Sequence, residues 1–159
     1  MSKRISWDDY FIEIAKAVRE RATCDRGRNG VVIVKNKQIL STGYVGSPPG
    51  MPHCDDAGHM IKKVTHEDGK ETQHCLRTTH AEINSIAQAA KFGIALEGST
   101  LYTLLEPCLS CAKAIINAGI KRVVVERKYH AAEEARELFK NANVELITLK
   151  DETVTYKDM

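Results

Sequence analysis

Apolar and polar positions along the chain alternate between helical and strand periods. The first helix is predicted to begin after Ser6, which forms a capping box with Asp9, and apolar residues then recur at helical spacing as far as Val18. Two strand-like runs, 31–34 and 39–42, are separated by a short polar segment. This arrangement predicts a β-hairpin.

The second half of the chain alternates strands with helices. The predicted helices cover 80–92, 107–117 and 131–140, and the predicted strands cover 100–104, 123–125 and 144–147. Because helices between strands favour parallel pairing, we predict a mixed sheet of about five strands with helices on both faces. The expected fold class is α/β, a three-layer α/β/α sandwich.

Two segments depart from this pattern. Residues 46–73 are rich in Gly, Pro, His and Asp and are predicted to form a long loop. A loop of this length is usually functional or held by internal cross-links. The polar segment after Lys150 is predicted to fray. We therefore expect one domain over 1–150, with a loop insert at 46–73 and a polar tail at 151–159.

The composition is that of an ordinary globular protein. Of 159 residues, 43% are hydrophobic and 28% are charged, which excludes disordered and fibrous classes. The formal net charge of +2 is too small to indicate nucleic-acid or membrane binding by charge alone. No apolar run approaches the roughly 20 residues of a membrane-spanning helix, and the first residues lack the apolar centre of a signal peptide. We expect a cytoplasmic protein.

The cysteines and histidines change this picture. There are five cysteines and six histidines, and an odd cysteine count in a reducing compartment indicates metal binding or catalysis. His80-Ala81-Glu82 and Pro107-Cys108-Leu109-Ser110-Cys111 each lie where a helix is predicted to begin. His80, Cys108 and Cys111 supply three ligands and leave one tetrahedral position for water, as in catalytic zinc sites. Thiolate and imidazole favour zinc over magnesium or calcium.

Glu82 is the predicted proton carrier. Zinc lowers the pKa of a bound water, and a carboxylate within about 3 Å can take that proton and pass it to a leaving amine. On a regular helix Glu82 would project about 200° away from His80. We therefore expect the chain to change from loop to helix at this point, so that Glu82 can lie on the same side as His80.

Either motif alone is a weak signal, because Cys-x-x-Cys can also be redox-active or structural. In this order, with Pro before the first Cys and a strand before each helix, the pair is the pattern of zinc deaminases. The alternative interpretation is a structural zinc knuckle.

The chain resembles the cytidine and deoxycytidylate deaminase superfamily, and in particular its deoxycytidylate (dCMP) deaminases, from Ser6 to about Tyr129. The resemblance implies zinc-dependent hydrolysis of dCMP to dUMP and ammonia, which supplies thymidylate synthesis. It also implies a homo-oligomer, commonly a hexamer. The segments that carry it are Ser6-Trp7-Asp8-Asp9-Tyr10-Phe11, Cys24-Asp25-Arg26, Gly43-Tyr44-Val45-Gly46-Ser47-Pro48, His53-Cys54, 75–84 and 111–120.

One position departs from the family. The family usually has Asn in the place of Val45, where it contacts the sugar and, in regulated members, takes part in binding the effectors dCTP and dTTP. Valine has no side-chain donor or acceptor. The other expected substrate contacts are Arg26 for the phosphate, with Arg28 and Arg77 as substitutes, and Tyr44, Ala81, Asn84 and Tyr129.

Three cysteines remain after the catalytic pair. Some dCMP deaminases bind a second, structural zinc through cysteines that match Cys24 and Cys54. Since zinc accepts histidine and cysteine alike, our preferred ligand set adds His59 and Cys75, with His53 or His74 as substitutes. The alternative is that these are reduced cysteines that serve as small buried hydrophobes.

Three rival functions remain open. The same chemistry could act on dCTP or CMP. A tRNA or other nucleic-acid deaminase would be expected to have a more basic face and to lack the insert at 46–73. A non-catalytic zinc-binding module would have no need of Glu82.

Overall fold

The computed structural model describes residues 3–155, which form five helices and eight strands. The helices are α1 Trp7–Arg19, α2 Cys54–Ala57, α3 Ala81–Lys91, α4 Leu109–Asn117 and α5 Glu133–Asn141. The strands are β1 Gly30–Lys35, β2 Gln38–Tyr44, β3 Ile61–Thr65, β4 Glu71–Cys75, β5 Thr100–Leu105, β6 Arg122–Tyr129, β7 Glu145–Thr148 and β8 Thr153–Val154.

The main sheet is mixed, as predicted. Its strand order is β2-β1-β5-β6-β7, and β8 pairs with β6 outside this path. The strands β2, β1 and β5 pair antiparallel, whereas β5, β6 and β7 pair parallel through the helical crossovers α4 and α5. The pairing changes from antiparallel to parallel at β5, which α4 follows. His80 and Cys108 are the N-cap residues of α3 and α4.

Hydrophobic residues cover both faces of the sheet. On β1, Val31 and Ile33 belong to the core cluster under α3, α4 and α5, while Val32 and Val34 face α1. This alternation follows from the two-residue period of a strand. The three-layer α/β/α sandwich is confirmed.

The segment 46–73 is not structureless, which corrects the sequence prediction. It contains α2 and most of an antiparallel hairpin, β3–β4, that forms a separate two-stranded sheet. The turn of this hairpin closes with a hydrogen bond from the His66 N–H to the Lys70 carbonyl. All residues of both strands are exposed or half-buried, so the hairpin has no buried apolar face to mark it in the sequence.

The C-terminal segment also differs from the prediction. Val154 is buried, and β8 pairs parallel with the end of β6, so residues 151–155 do not fray. Residues 156–159 of the predicted tail lie outside the described part of the chain. Within 3–155, no helix has the length and apolar character needed to cross a membrane.

Candidate active site

The N-terminus of α3 presents His80 and Glu82 on one side of the molecule. His80 is the N-cap residue and has an extended backbone, with φ −63° and ψ 149°. Glu82 lies in the first helical turn and is 4% exposed. Because His80 precedes the helix, the 200° separation of a regular helix does not apply to this pair. The chain therefore changes from extended to helical between His80 and Glu82, as the sequence analysis predicts.

The N-terminus of α4 brings two sulfur atoms to the same place. Cys108 is its N-cap residue, also with extended backbone, and Cys111 lies in its first turn. The His80 Nδ1 atom is 3.6 Å from the Cys108 Sγ and 3.4 Å from the Cys111 Sγ. The Glu82 Oε2 atom accepts a hydrogen bond from the Cys111 Sγ at 3.7 Å. The sequence predicts that this helix begins at Pro107, but its first helical residue is Leu109, directly after Cys108.

Close packing fixes the position of α3. A Cβ atom at Gly43 on β2 would lie 2.4 Å from the Ala81 carbonyl oxygen and 2.4 Å from the Ser85 nitrogen. The Ser41 hydroxyl donates to the Ser85 carbonyl at 2.7 Å. The absence of a side chain at Gly43 therefore lets the helix that carries Glu82 lie directly on β2.

The charges of the cluster are strongly coupled. Contact with the Cys111 thiol and with His80 lowers the pKa of Cys108 to about 3, and contact with Cys108 raises the pKa of His80 to about 9. The neighbouring Cys108 and burial raise the pKa of Cys111, and burial raises the pKa of Glu82. Two thiols and a carboxyl group beside one imidazole have too little positive charge nearby for all three to ionise. A divalent cation at the centre supplies that charge, so the donor set fits zinc.

A cleft next to this cluster contains several of the predicted substrate residues. Arg26 and Val45 line it together with His80, Glu82 and Cys108. Arg26 donates a hydrogen bond to the Gln73 carbonyl at 3.4 Å, which ties it to the middle of β4. A second, wider groove shares His80 and Cys108 with this cleft and is also lined by Tyr129. The structure therefore brings Arg26, Val45 and Tyr129 to the cluster.

The remaining predicted substrate residues lie elsewhere. The Asn84 amide donates to the Tyr44 carbonyl at 2.8 Å and to the Thr79 carbonyl at 3.3 Å, so it holds backbone segments together rather than facing the cleft. The contact expected of Ala81 is through its backbone amide; its side chain is fully buried in the core, between the two cleft residues His80 and Glu82. The Tyr44 side chain is partly exposed and packs over Gly46. None of these three residues lines the cleft or the groove within the described chain.

Sequence reasoning missed two buried polar residues of the cleft, Asn29 and Glu106. The Asn29 amide donates to the Thr103 hydroxyl at 2.9 Å and accepts from the Leu104 N–H at 3.2 Å. Glu106 immediately precedes the Pro-Cys motif. The sequence signal that could have found Glu106 is its position, since it is a charged residue directly after the largely apolar run 101–105.

A second cluster lies behind the cleft. The ligand atoms of Cys24, Cys54, His59 and Cys75 all lie within 4.8 Å of one another. Within residues 3–155, two groups have the geometry of metal ligands: this cluster and the set His80, Cys108 and Cys111. The Cys54 and Cys75 sulfur atoms are 3.5 Å apart. The alternative ligands lie outside it: His53 pairs with the Thr23 hydroxyl, and His74 with the Thr72 hydroxyl.

The thiols of the second cluster are also perturbed. Burial raises the pKa of Cys54 to about 12. Burial opposes ionisation of Cys75 as well, but hydrogen bonds from the backbone at Arg77 and Met60 lower its pKa to about 6. The His59 Nε2 atom lies 3.0 Å from an Asp25 carboxylate oxygen, a contact that orients metal-binding histidines.

The fold, with these two motifs at adjacent helix N-termini, defines the class of zinc-dependent deaminases. Residues 5–127 match the family described as the cytidine and deoxycytidylate deaminase zinc-binding region, and the chain belongs to this family.

Individual relatives agree with this assignment. The ComE operon protein 2 of Bacillus subtilis is 39% identical over 142 residues, which cover 89% of this chain and 70% of that protein. The deoxycytidylate deaminase of Schizosaccharomyces pombe is 34% identical over 143 residues, but the chain spans only 44% of its length. The dCMP deaminase of cyanophage S-TIM5, solved with dCMP and dUMP, matches with a TM-score of 0.72 at 26% identity, covering 92% of this chain and 99% of that one.

Proposed function

We propose that the chain catalyses the hydrolysis of dCMP to dUMP and ammonia and so supplies dUMP for thymidylate synthesis. The observation that carries this proposal is the meeting of His80, Cys108 and Cys111 with a buried carboxyl group, Glu82, in a cleft that also contains Arg26. The dCMP and dUMP bound by the cyanophage enzyme support the choice of substrate.

In this proposal, His80 Nδ1 and the sulfur atoms of Cys108 and Cys111 hold the zinc ion. The bound ion acts as a Lewis acid that makes water a nucleophile near neutral pH. Three protein ligands are the number that a catalytic site uses, since the fourth position is kept for water or substrate.

Glu82 carries the protons. Its carboxylate takes a proton from the attacking water and gives it to N3 of the pyrimidine as the oxygen adds to C4. It then moves the second proton to the amino group, which leaves C4 as ammonia while the C4 carbonyl of uracil forms. Burial raises the pKa of Glu82 toward the working pH, which suits a group that must both accept and donate.

Arg26 binds the 5′-phosphate, and Tyr129 contacts the nucleotide from the groove. A guanidinium at the cleft is the group best suited to a phosphate. Val45 lines the same cleft and offers no hydrogen bond to the sugar, so the sugar must be recognised by other polar groups or by shape.

The variant Glu82→Gln tests the reaction. We expect it to keep one zinc per catalytic site and to lose about 100- to 10,000-fold in kcat, the contribution of a general acid–base group. Turnover is followed as the loss of absorbance near the cytosine maximum. Glu126→Gln is the matched control, because Glu126 is equally buried on β6 but faces Lys16 and Lys150. Substantial activity in Glu82→Gln would contradict the role of Glu82.

We also propose a structural zinc at Cys24, Cys54, His59 and Cys75. Four ligands close a tetrahedral site, and the set joins the segment after α1 to α2 and β4. Metal analysis of protein purified without added zinc should give two ions per chain, and Cys54→Ser should give one while keeping the catalytic ion. One ion per wild-type chain would refute the second site.

Substrate range and assembly are the remaining parts of the proposal. A panel of dCMP, CMP, dCTP, deoxycytidine and RNA is assayed as substrates, with and without added dCTP as effector. We expect dCMP to be deaminated. Turnover of RNA alone would favour a nucleic-acid deaminase, and turnover of none would favour a non-catalytic zinc module. We propose a cytoplasmic homo-oligomer, a hexamer by family resemblance, which light scattering would measure directly.

A further inference from the structure

Glu106 is a buried carboxylate at the rim of the catalytic cleft, two residues before Cys108. Its side chain is 2% exposed. The Oε1 atom accepts a hydrogen bond from Arg136 Nε at 2.9 Å, and the Oε2 atom accepts one from Arg136 Nη2 at 2.6 Å. Oε2 also accepts from the Tyr129 N–H at 2.8 Å. Both carboxylate oxygens are thus used, and the pair is bidentate.

The same pair also binds the backbone carbonyl of Tyr129. Arg136 Nη2 donates to the Tyr129 carbonyl at 3.1 Å, so Tyr129 is bound at its N–H by Glu106 and at its carbonyl by Arg136. Tyr129 is the last residue of β6, and its ring packs edge-on against His130 with centroids 4.6 Å apart. It lines the groove that also contains His80 and Cys108.

We propose that Glu106 and Arg136 are positioning residues that set Tyr129 at the mouth of the active site and tie it to the loop that carries Cys108. This inference rests on the proposed function, in which Tyr129 contacts the nucleotide. A carboxylate–guanidinium fork fixes both distance and orientation, which a hydrophobic contact does not. Such a pair contributes little net stability compared with apolar side chains of the same size, so stability alone does not account for it.

The double variant Glu106→Gln/Arg136→Met separates positioning from stability. It removes both charges and leaves no buried ion unpaired, so the fold should be retained. We expect KM for dCMP to rise about tenfold, within the range of coupling between contacting residues, while kcat and zinc content stay close to wild type. The dissociation constant for dUMP, measured by calorimetry, should rise by the same factor. If this variant is too unstable to purify, Arg136→Lys keeps the charge, loses the fork and should show the same shift in smaller measure.

A double-mutant cycle with Tyr129 gives the sharper readout. Tyr129→Ala should raise KM in the wild-type background and add little in the double variant, because Tyr129 is already displaced there. Asp8→Asn/Arg122→Met is the matched control. It removes a bidentate pair with distances of 2.8 and 2.8 Å at the opposite end of β6, and KM should not change.

Three outcomes would overturn the inference. If KM is unchanged in the double variant, Glu106 and Arg136 have only a structural role. If the effects of the double variant and of Tyr129→Ala on KM are additive, the pair does not act through Tyr129. Unchanged hydrogen exchange at the Tyr129 N–H in Glu106→Leu/Arg136→Met, which lacks the acceptor oxygen that glutamine would keep, shows that Glu106 does not bind the Tyr129 N–H, whatever the substrate is. Inactivity of the wild-type protein on dCMP would instead refute the proposed function. The exchange measurement would still test whether Glu106 and Arg136 hold the backbone of Tyr129.

Discussion

Replacing Gly43 with alanine should impair catalysis through the position of α3. The backbone at Gly43 does not have a positive φ, so the change is purely steric. The added Cβ would lie 2.4 Å from the Ala81 carbonyl oxygen, and an ordinary contact begins at 3.4 Å. The first turn of α3 must therefore move away from β2 by about 1 Å. That turn carries Glu82, whereas Cys108 and Cys111 are held by α4 and do not follow.

A displacement of about 1 Å between reacting groups costs on the order of 100-fold in rate. We expect Gly43→Ala to lose about that much in kcat, and overpacking to cost about 1–3 kcal/mol of stability. Absorbance assays of dCMP turnover give kcat, and denaturant unfolding gives the free energy. Zinc content should be measured in parallel to show whether His80 has moved with Glu82.

Gly30→Ala is the matched control for this prediction. Gly30 lies on the neighbouring strand, and its Cβ would meet the Ala15 carbonyl oxygen at 2.2 Å, on the face covered by α1. The stability loss should be similar, but most of kcat should remain because α1 carries none of the zinc ligands or Glu82. Equal kcat losses in both variants, or none in Gly43→Ala, would refute the argument that the position of α3 limits the rate.

Two further predictions concern hydrogen bonds made by Asp8 and by Asn84. The hydrogen bonds from Arg122 hold the pKa of Asp8 below its ordinary value of 3.8, so their contribution to stability is complete above that value and is lost as the pH falls through the lower folded-state pKa. Asp8→Asn should therefore be less stable at pH 7, and urea titrations should show that its difference from wild type shrinks as the pH falls below 3.8. A difference that stays constant with pH would contradict this. Asn84→Ala removes a donor from the Tyr44 carbonyl and one of the two donors of the Thr79 carbonyl, which keeps the Gly46 N–H. It should cost about 0.5–1.5 kcal/mol, the net worth of a hydrogen bond, and lower kcat because Thr79 precedes His80. Unchanged kcat would show that this contact does not position the site.

The three-layer fold was predictable because its elements are marked by local periodicity. Strands such as β1 and β6 are buried on both faces, and helices such as α1 begin at a side-chain cap, Ser6. Residue spacing also placed His80, Glu82, Cys108 and Cys111 at helix starts. The hairpin β3–β4 escaped prediction because its strands have no buried face, and therefore no alternation.

The sequence by itself determined the class of chemistry and the fold that carries it, since motif spacing and hydrophobic period are properties of neighbouring residues. Tertiary structure decided the rest. It gathered Cys24, Cys54, His59 and Cys75 and placed Arg26 beside the cleft. It also bound Glu106 to Tyr129 and Arg136. These residues lie 5 to 51 positions apart within their clusters, and the path of the chain through the sheet and its insert determines which of them meet.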